Sequence, residues 1–467
     1  MSSFSGLSTA LSSLIAQRQA LDVAGQNIAN ANTVGYTRQR ANLASVAANT
    51  APSMFSTGLS VGSGTTVTGI SRLGDVFLDA RLRAETGGAS FAATKADAYA
   101  RLESSVAEPG VTGVSDALQT FWAGWEEVGN DPTSAATRNV LLEDAAAVTQ
   151  RISAGYAAVT TQWSQTRTEL GAAVTDVNAS AAMVAGLNDS IRSALVSGGS
   201  ANELIDQRNV LVTGLSALVG ASGVERADGT LDVLVDGNAL VRGNTAHPIA
   251  VNAASTTMGS SVTLTWAGTA TALGATSGSI VGMVAALAPA GDGGILAKAA
   301  ASYDSLANNL ISKVNVLHAA ASTTAGSAGG TFFTSTGASA AATLKVAITS
   351  GANIAVGNPA LGPSNDGSRA AGFAALGTDP AGPDAQWTAW VADLGVTARS
   401  ATQRATITES TRSTAETLQL SSASVDVDEE AANMLTYQRA YQGSARVLTA
   451  IDEMLDTLIN RTGIVGR

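Results

Sequence analysis

The sequence has 467 residues, a formal net charge of −11 and no cysteine. This length is enough for roughly two to four domains of about 150 residues each. The acidic balance argues against binding to nucleic-acid phosphates, and the lack of cysteine excludes disulfides, thiolate metal sites and cysteine nucleophiles. No apolar stretch approaches the roughly 18 residues of a membrane span, and the N-terminus lacks the pattern of a Sec-type signal.

The first predicted element is a helix from Phe4 to Asn32. Its apolar residues recur at alternating steps of three and four, which places them on one side of a helix and predicts contact with a second helix. Arg18 and Gly25 interrupt this seam. Gly35 is expected to stop the helix, because glycine tolerates the left-handed conformation. The predicted N-terminal seam comprises Phe4, Leu7, Leu11, Leu14, Leu21 and Ile28.

Extended and loop segments follow the first helix. Residues 36–45 are predicted to be extended, a Ser/Thr/Gly/Pro-rich loop continues to Gly64, and residues 65–70 have strand character. Helix resumes at Gly74, and long helices follow. The Asp131-Pro132 pair is predicted to begin one of them, because it offers an acidic cap followed by a proline that needs no amide donor.

The composition changes near residue 220. The segment 220–282 is rich in Gly, Thr, Ser and Val, and Leu231, Val233 and Val235 alternate as in a strand. The run 236–238, Asp-Gly-Asn, is typical of a hairpin turn. The sequence therefore predicts an antiparallel β domain inserted between helices.

Helices are predicted again after the β insertion, beginning at about Ile295. The segment 322–382 is rich in Gly, Ala and Ser, and it either completes the β domain or forms a surface excursion. A long helix is expected from Asp384 to Leu420. The last helix carries a second seam, interrupted by Ser444. This predicted C-terminal seam comprises Met434, Tyr437, Tyr441, Leu448, Ile451, Leu455 and Leu458.

Each terminal helix carries a narrow apolar stripe and has no core of its own, so the economical arrangement pairs the two chain ends. The predicted fold is mainly α, with paired terminal coiled-coil helices, a long-helix bundle and an inserted β domain. The expected domains are a terminal coiled coil (1–45 plus 425–467), a helical bundle (46–219 plus 290–322 plus 384–424) and the β domain (220–289, with 323–383 if that segment completes it).

Two motifs at opposite chain ends carry a family resemblance. The first is the run 27–39 and the second is the run 428–442. Together they resemble the signature of bacterial flagellar rod, hook and hook-associated proteins. The Tyr437-Gln438 step and the run 35–40 are most similar to hook-associated protein 1, the FlgK type. The family motif residues are Asn27, Asn30, Asn32, Thr33, Gly35, Tyr36 and Arg38.

The resemblance implies an extracellular structural subunit of the flagellar hook–filament junction, needed for filament assembly and exported without a cleaved signal peptide. The implied partners are further copies in a ring or tube layer, the hook protein, a second junction protein and an export chaperone. Nucleic acid, membrane, metal and cofactor are not expected. The nearest alternative is a hook or distal-rod protein, and a surface adhesin that binds through the β insertion is an alternative of a different class.

No set of residues indicates catalysis. The two histidines, His247 and His318, have no partners for a catalytic or metal site, so surface or capping roles are expected for them. The run 58–62, Gly-Leu-Ser-Val-Gly, matches a nucleophile elbow in letters, but a loop precedes it and a strand follows it, whereas the elbow needs a strand and then a helix. The protein is therefore not expected to be an enzyme.

The acidic residues at the start of the second motif have a structural interpretation. Asp426, Asp428, Glu429 and Glu430 lack the spacing of a calcium loop and are interpreted as acidic residues that favour a helix N-terminus.

Trp122 and Trp125 are interpreted as core residues. The seam tyrosines, Tyr437 and Tyr441, are expected to contact another helix or another subunit. Because the seams are incomplete, residues 1–40 and 425–467 are expected to be disordered or frayed in the free monomer.

Overall fold

The computed structural model describes residues 3–47, 62–269 and 271–461, and their side chains except at 3, 4 and 461. These residues form a mainly helical fold with short antiparallel sheets between the helices, as the sequence predicts. The helices are α1 (Ser3–Asn30), α2 (Val76–Val106), α3 (Val114–Asn130), α4 (Ala135–Val196), α5 (Asn202–Val219), α6 (Ser279–Leu287), α7 (Ile295–Ala319), α8 (Ala340–Thr343), α9 (Ala370–Ala374), α10 (Pro383–Ala423) and α11 (Val427–Asp456). The strands are β1 (Gln39–Ser45), β2 (Thr65–Arg72), β3 (Ser222–Glu225), β4 (Leu231–Val235), β5 (Asn238–Arg242), β6 (Thr245–Ala246), β7 (Ile249–Val251), β8 (Leu264–Trp266), β9 (Phe333–Thr334) and β10 (Lys345–Val346).

The two chain ends form an antiparallel helix pair, α1 against α11. A Cβ placed on Gly6 would lie 3.2 Å from Cδ1 of Ile451, and the hydroxyls of Ser13 and Ser444 are 2.9 Å apart. Near the other end of the pair, Asn27 contacts Glu430. The spacing of these three contacts is the same on both helices, so the register is constant along the pair.

Except for Leu458, which lies beyond the end of α11, the predicted C-terminal seam lies on the inner side of α11, the side that faces α1. Ile451 is buried, whereas Leu458 is 58% exposed. The remaining seam residues are half-buried: Met434, Tyr437, Tyr441, Leu448 and Leu455.

The buried face of α1 differs from its predicted seam. Leu11 is 48% exposed, the side chain of Phe4 lies outside the described residues, and Leu7, Leu14, Leu21 and Ile28 are half-buried. The buried residues are mostly small: Ala10, Ala16, Ala20, Val23, Ala24 and Asn27. Because α1 is covered by α11 on one side and by strands on another, its buried face is centred on small residues that allow close approach.

The strands that cover α1 are β1 and β2, which pair antiparallel from Gln39↔Arg72 to Ser45↔Thr65 with an irregularity at Asn42/Leu43. The approach to α1 is close at Gly64, where φ is +101° and a Cβ would lie 2.0 Å from the Ser12 hydroxyl oxygen. The extended segment and the strand predicted from the sequence are therefore partners in one hairpin.

The helical bundle is built around α4, a single helix of 62 residues. α2 and α10 pack along each other, and α3, α5 and α7 pack against α4. The prediction that Asp131-Pro132 begins a helix is wrong. Asp131 ends α3 and its side chain accepts a hydrogen bond from the Thr133 amide, while the Ser134 hydroxyl caps α4 by accepting from the Thr137 amide.

The Gly-, Ala- and Ser-rich segment 322–382 belongs to the helical core, so it neither completes the β domain nor stands out as an excursion. Its Phe373 ring stacks on Trp125 at a centroid distance of 3.8 Å, and Phe332 lies 5.2 Å from the same indole. Trp125 is fully buried and Trp122 nearly so, as expected of core residues. The segment therefore closes one end of the bundle with aromatic side chains.

The β insertion contains a four-stranded sheet in the order β3-β4-β5-β6 and a separate β7–β8 pair. Asp236 and Gly237 both have positive φ, 49° and 76°, and form the predicted hairpin turn between β4 and β5. Residues 279–287, predicted to belong to the β domain, are instead helical. This helix, α6, packs against α2, where a Cβ on Gly282 would lie 2.8 Å from Thr94.

Within the described residues, α4 is the helix that is long and apolar enough by composition to cross a membrane, with a window of mean hydropathy 1.3. Its fully buried residues include Leu141, Val148, Ile152, Leu170 and Val184, which form part of the protein core. Burial of this kind is typical of the central helix of a folded domain, which passes the same test.

His318 is fully buried, contrary to the surface or capping role expected from the sequence. Its Nε2 accepts a hydrogen bond of 3.0 Å from the Ala355 amide, and its Nδ1 lies 2.7 Å from the Gly330 carbonyl oxygen. The neutral ring with the proton on Nδ1 satisfies both contacts. Burial lowers the pKa of His318 below its ordinary value, although the bond to Gly330 opposes this shift.

We expect His318 to make the chain less stable in acid. The unfolded chain takes up a proton near pH 6.5 and the folded chain only at lower pH, so stability is complete above pH 6.5 and falls below it, by up to about 1.4 kcal/mol per pH unit. Thermal melting between pH 8 and pH 5 should show a smaller pH dependence in His318→Gln than in the native chain. His247→Gln, at the exposed histidine, is the control, and an unchanged slope in His318→Gln would contradict the assignment.

Candidate assembly site at the joined chain ends

The first motif forms a tight loop that follows α1. The loop comprises residues 31–38 and is called the motif loop below. Gly35 has φ of +80°, and a Cβ at this position would lie 2.3 Å from Cγ2 of Val210 on α5. Only glycine combines this left-handed conformation with so close an approach. Gly35, the predicted stop, lies a few residues beyond Asn30, the last residue of α1. Its conformation brings the motif loop onto α5.

Asn27 is the centre of the site and is completely buried. Its Nδ2 donates to the Gln39 carbonyl at 2.8 Å and to Oε2 of Glu430 at 3.0 Å. Its Oδ1 accepts from the Tyr36 hydroxyl at 2.8 Å and from the Gln39 amide at 3.0 Å. One amide group therefore joins α1, the motif loop, β1 and α11.

Arg38 extends the connection to the C-terminal part of the chain. Its Nε donates to Oε1 of Glu430 at 2.8 Å, and its two terminal nitrogens donate to the carboxylate of Glu429 at 2.8 and 3.1 Å. Its backbone amide donates to the carbonyl of Ala423 at the end of α10. Glu430 is almost completely buried, and a buried carboxylate requires such partners.

A second set of contacts fixes the loop to the start of α5. The carboxylate of Asp206 accepts from the Thr37 amide at 3.0 Å and from Nε of Arg72 at 2.8 Å. The Gln39 side chain donates to Glu203 at 3.1 Å. We call the whole set the polar clasp: Asn27, Tyr36, Thr37, Arg38, Gln39, Arg72, Asn202, Glu203, Asp206, Glu429 and Glu430. Asn202 belongs to it because its amide donates to Oε1 of Gln39 and to the Ile70 carbonyl.

The electrostatics of the clasp follow from its carboxylates. Burial, together with the negative charges of Glu203, Asp206 and Glu430, raises the pKa of Tyr36 to about 12. The hydrogen bond to Glu429 raises the pKa of Arg38, while partial burial opposes this effect. The tyrosine therefore remains a neutral donor and the arginine remains charged at every physiological pH, as the observed bonds require.

The structure brings four of the predicted motif residues together and leaves three aside. Asn27, Tyr36 and Arg38 belong to the clasp, and Gly35 allows the loop to reach α5. Asn30 and Thr33 make local contacts near the end of α1, where the Thr33 hydroxyl donates to Oδ1 of Asn30 at 3.2 Å. Asn32 is exposed.

Sequence reasoning missed several clasp residues. Asn202, Glu203 and Asp206 lie far from both motifs and carry no local signal. Glu430 was interpreted only as an acidic residue at a helix start, but it precedes Met434 and Tyr437 by four and seven positions and so shares their inner side. That spacing could have revealed its buried position. Asp426 does cap α11, because its side chain accepts from the amides of Asp428 and Glu429.

The remaining candidates for chemistry are the histidines, the acidic residues and the elbow-like run. Within residues 3–47, 62–269 and 271–461, no group of three or more His, Asp or Glu side chains is placed to hold a metal ion. His247 is exposed and His318 belongs to the aromatic core. The elbow-like run lies at residues 58–62, of which 58–61 are outside the described residues.

Family comparisons agree with the two motifs and add the middle of the chain. A model described as the helical domain of the flagellar hook-associated protein FlgK matches residues 99–333. A model described as the C-terminal part of flagellar basal body rod FlgEFG proteins matches residues 419–461. A flagella basal body rod protein model matches residues 7–37. The last two matches include most of the clasp residues at the chain ends.

Individual relatives give the same result. Flagellar hook-associated protein 1 of Bacillus subtilis is 29% identical over the full length of both chains. The protein of that name from Salmonella typhimurium is 30% identical over 52% of this chain and 43% of its own length. The solved flagellar hook junction protein FlgK from Burkholderia pseudomallei is 26% identical, with a TM-score of 0.48 over 55% of this chain and 46% of that one. Because the FlgK helical-domain model spans half of the sequence, this chain belongs to the FlgK family of flagellar hook-associated proteins.

Proposed function

We propose that this chain is a structural subunit of the bacterial flagellum at the junction between hook and filament, and that filament assembly depends on it. Family membership and the name shared by the relatives support this function. The observation that carries the proposal is the polar clasp, which joins both chain ends to the helical bundle. A subunit whose joined ends are fixed to its helical bundle can transmit force between the hook and the filament.

The clasp supports this role through its geometry. It connects the α1–α11 pair, the β1–β2 hairpin and α5 through buried or half-buried charge-assisted hydrogen bonds, which are shorter and stronger than neutral ones. Removing the Arg38 side chain would leave the buried carboxylate of Glu430 without its cation, at a cost of about 3–5 kcal/mol. Several bonds therefore hold the terminal helices against the bundle at once.

The proposed partners are other axial proteins of the flagellum. Further copies of this chain would form a ring or tube layer, with the hook protein on one side and a second hook-associated junction protein on the other. We also propose export through the flagellar export apparatus without a cleaved signal, with the help of a chaperone. The protein would act by assembly and not as an enzyme.

Deletion of the gene tests the function. We expect electron microscopy to show hooks without filaments, and we expect flagellin to appear in the culture medium. Absent hooks would instead favour the alternative, a hook or distal-rod protein. Normal, firmly attached filaments would refute both assignments. Re-expression of the native chain in the same strain is the control that attributes the defect to this gene.

The inner side of α11 gives a prediction at a single residue. Leu448→Asp places a charge on the half-buried seam and should weaken the α1–α11 pair by roughly 2 kcal/mol or more. We expect the variant to form no filaments while the thermal unfolding of the bundle is unchanged. Thr449→Asp, at the exposed neighbouring position, should assemble normally. Normal filaments with Leu448→Asp would contradict the role of the seam.

The terminal pair should also be less protected in the monomer than in the assembly. α11 packs extensively against α1 alone among the described helices, so few buried contacts oppose its opening. Hydrogen exchange of the monomer at micromolar concentration should be fast in the parts of α1 and α11 remote from the clasp. Strong protection along both whole helices would refute this expectation.

A further inference from the structure

A groove lies beside the clasp and has no occupant among the described residues. It has a volume of about 810 Å³ and lies between the motif loop, α4 and α5. Three apolar side chains from these three elements line it while remaining open to solvent: Val34 is 89% exposed, Met183 51% and Val210 44%. Exposed apolar residues that converge on one concave surface are typical of an interaction site.

The groove is also acidic. Glu203 and Asp206 line it, and none of its lining residues is lysine or arginine. Asp206 is balanced by Arg72 at 2.7 Å. Glu203 is exposed, and the contact described for it is a neutral one, with the side-chain amide of Gln39. The groove therefore offers apolar walls together with a carboxylate that has no cationic partner in the described chain.

The outer side of α11 has the complementary character. Leu435, Arg439, Gln442 and Arg446 recur at steps of four, three and four, so they lie on one face of the helix. We call this face the outer stripe. All four residues are exposed. Neither arginine forms an ion pair with the described residues, and their side of α11 faces away from the seam that packs on α1.

We infer that the motif-loop groove of one copy receives the outer stripe of α11 from a second copy of this chain. Leu435 would contact the apolar walls, and one of the arginines would pair with Glu203. The occupant is assigned to a second copy because the stripe supplies an exposed apolar residue that matches the apolar walls and a positive charge that complements the carboxylate of Glu203. This inference rests on the proposed role as an assembling axial subunit.

The contact has a defined geometry. The groove and the stripe are different surfaces of the same molecule, so the interface is heterologous and propagates into a ring or a helical array. On α11 the clasp, which lies beside the groove, is marked by Glu430. The centre of the stripe lies about eleven residues beyond Glu430, which corresponds to roughly 16 Å along the helix axis at 1.5 Å per residue. Neighbouring copies would therefore be displaced by about this distance along the terminal helices.

Cysteine cross-linking tests the contact directly, because the native chain contains no cysteine. One variant carries Val34→Cys at the groove and the other carries Gln442→Cys on the stripe. Both are expressed together in a strain that lacks the native gene, and isolated flagella are treated with a short bismaleimide. We expect a product of two linked copies, at least about tenfold more abundant than from either variant alone, because an interface raises the effective concentration of the two thiols.

Two further variants make the result specific. Val396→Cys, on the exposed side of α10, replaces Gln442→Cys as the matched control and should give no linked pair. Adding Arg439→Glu and Arg446→Glu to the stripe variant should reduce the yield to the level of that control. Equal yields from Val396→Cys, or a product formed by Val34→Cys alone, would overturn the inference. Filaments formed without the linked product would reject this contact and leave the junction function intact, whereas filaments in the deletion strain would reject the function itself.

Discussion

Replacing Asn27 by aspartate is expected to open the polar clasp and abolish filament assembly. The new carboxylate oxygen would face the Gln39 carbonyl and the Glu430 carboxylate at the positions where Nδ2 now donates at 2.8 and 3.0 Å. A second negative charge at a completely buried site has no cation of its own, so we expect a loss of roughly 3–5 kcal/mol in the stability of the terminal pair.

Hydrogen exchange measures this effect locally. In Asn27→Asp, amides of α1 near the motif loop and of the first turns of α11 should exchange much faster than in the native chain, while those of α4 and α7 remain protected. Asn32→Asp is the matched control, because it makes the same chemical change at an exposed position five residues later. Unchanged protection of α1 in Asn27→Asp would show that the clasp does not hold the chain ends.

Replacing Gly35 by alanine should detach the motif loop from α5. A non-glycine residue in the left-handed region costs about 1–2 kcal/mol, and its Cβ would lie 2.3 Å from Cγ2 of Val210. Overpacking of this kind typically costs a further 1–3 kcal/mol. We expect a lower melting temperature and few or no filaments. The double variant Gly35→Ala with Val210→Ala should recover the part of the loss caused by overlap.

The control for Gly35 is another glycine of the same region. Gly25 lies within α1, and a Cβ there would meet no atom within 4 Å. Because alanine favours a helix interior over glycine by about 1 kcal/mol, Gly25→Ala should stabilise the chain slightly. The two substitutions are chemically identical and should act in opposite directions. A loss of stability in both, of similar size, would exclude the proposed close contact as the cause.

The helices and the β insertion could be predicted because their signals are local. The 3-4 spacing of Met434, Tyr437 and Tyr441 identifies the inner side of α11, and Asp236-Gly237 forms the expected turn. The buried face of α1 could not be predicted by the same means. Large apolar residues such as Leu11 dominate the periodic pattern, whereas the contact with α11 and the hairpin uses alanines whose value lies in their small size.

The clasp was only half visible in the sequence for a related reason. Tyr36 and Arg38 belong to a recognisable motif, but their partners on α5 are placed by the folding of the intervening chain. Asp206 forms bonds with Thr37 and Arg72 that no spacing rule connects. The segment 322–382 shows the same limit, because its low-complexity composition concealed Phe332 and Phe373, which complete the aromatic core.

The distance along the sequence between the clasp partners has a consequence for quality control of the assembled flagellum. Asn27 and Glu430 are 403 residues apart, so their bond closes a very long loop and depends on everything between them. A chain that is cut short before residue 429 still has α1, but its Arg38 lacks the carboxylates of Glu429 and Glu430. Such a chain cannot form the polar clasp, so joined ends distinguish a full-length subunit from a truncated one.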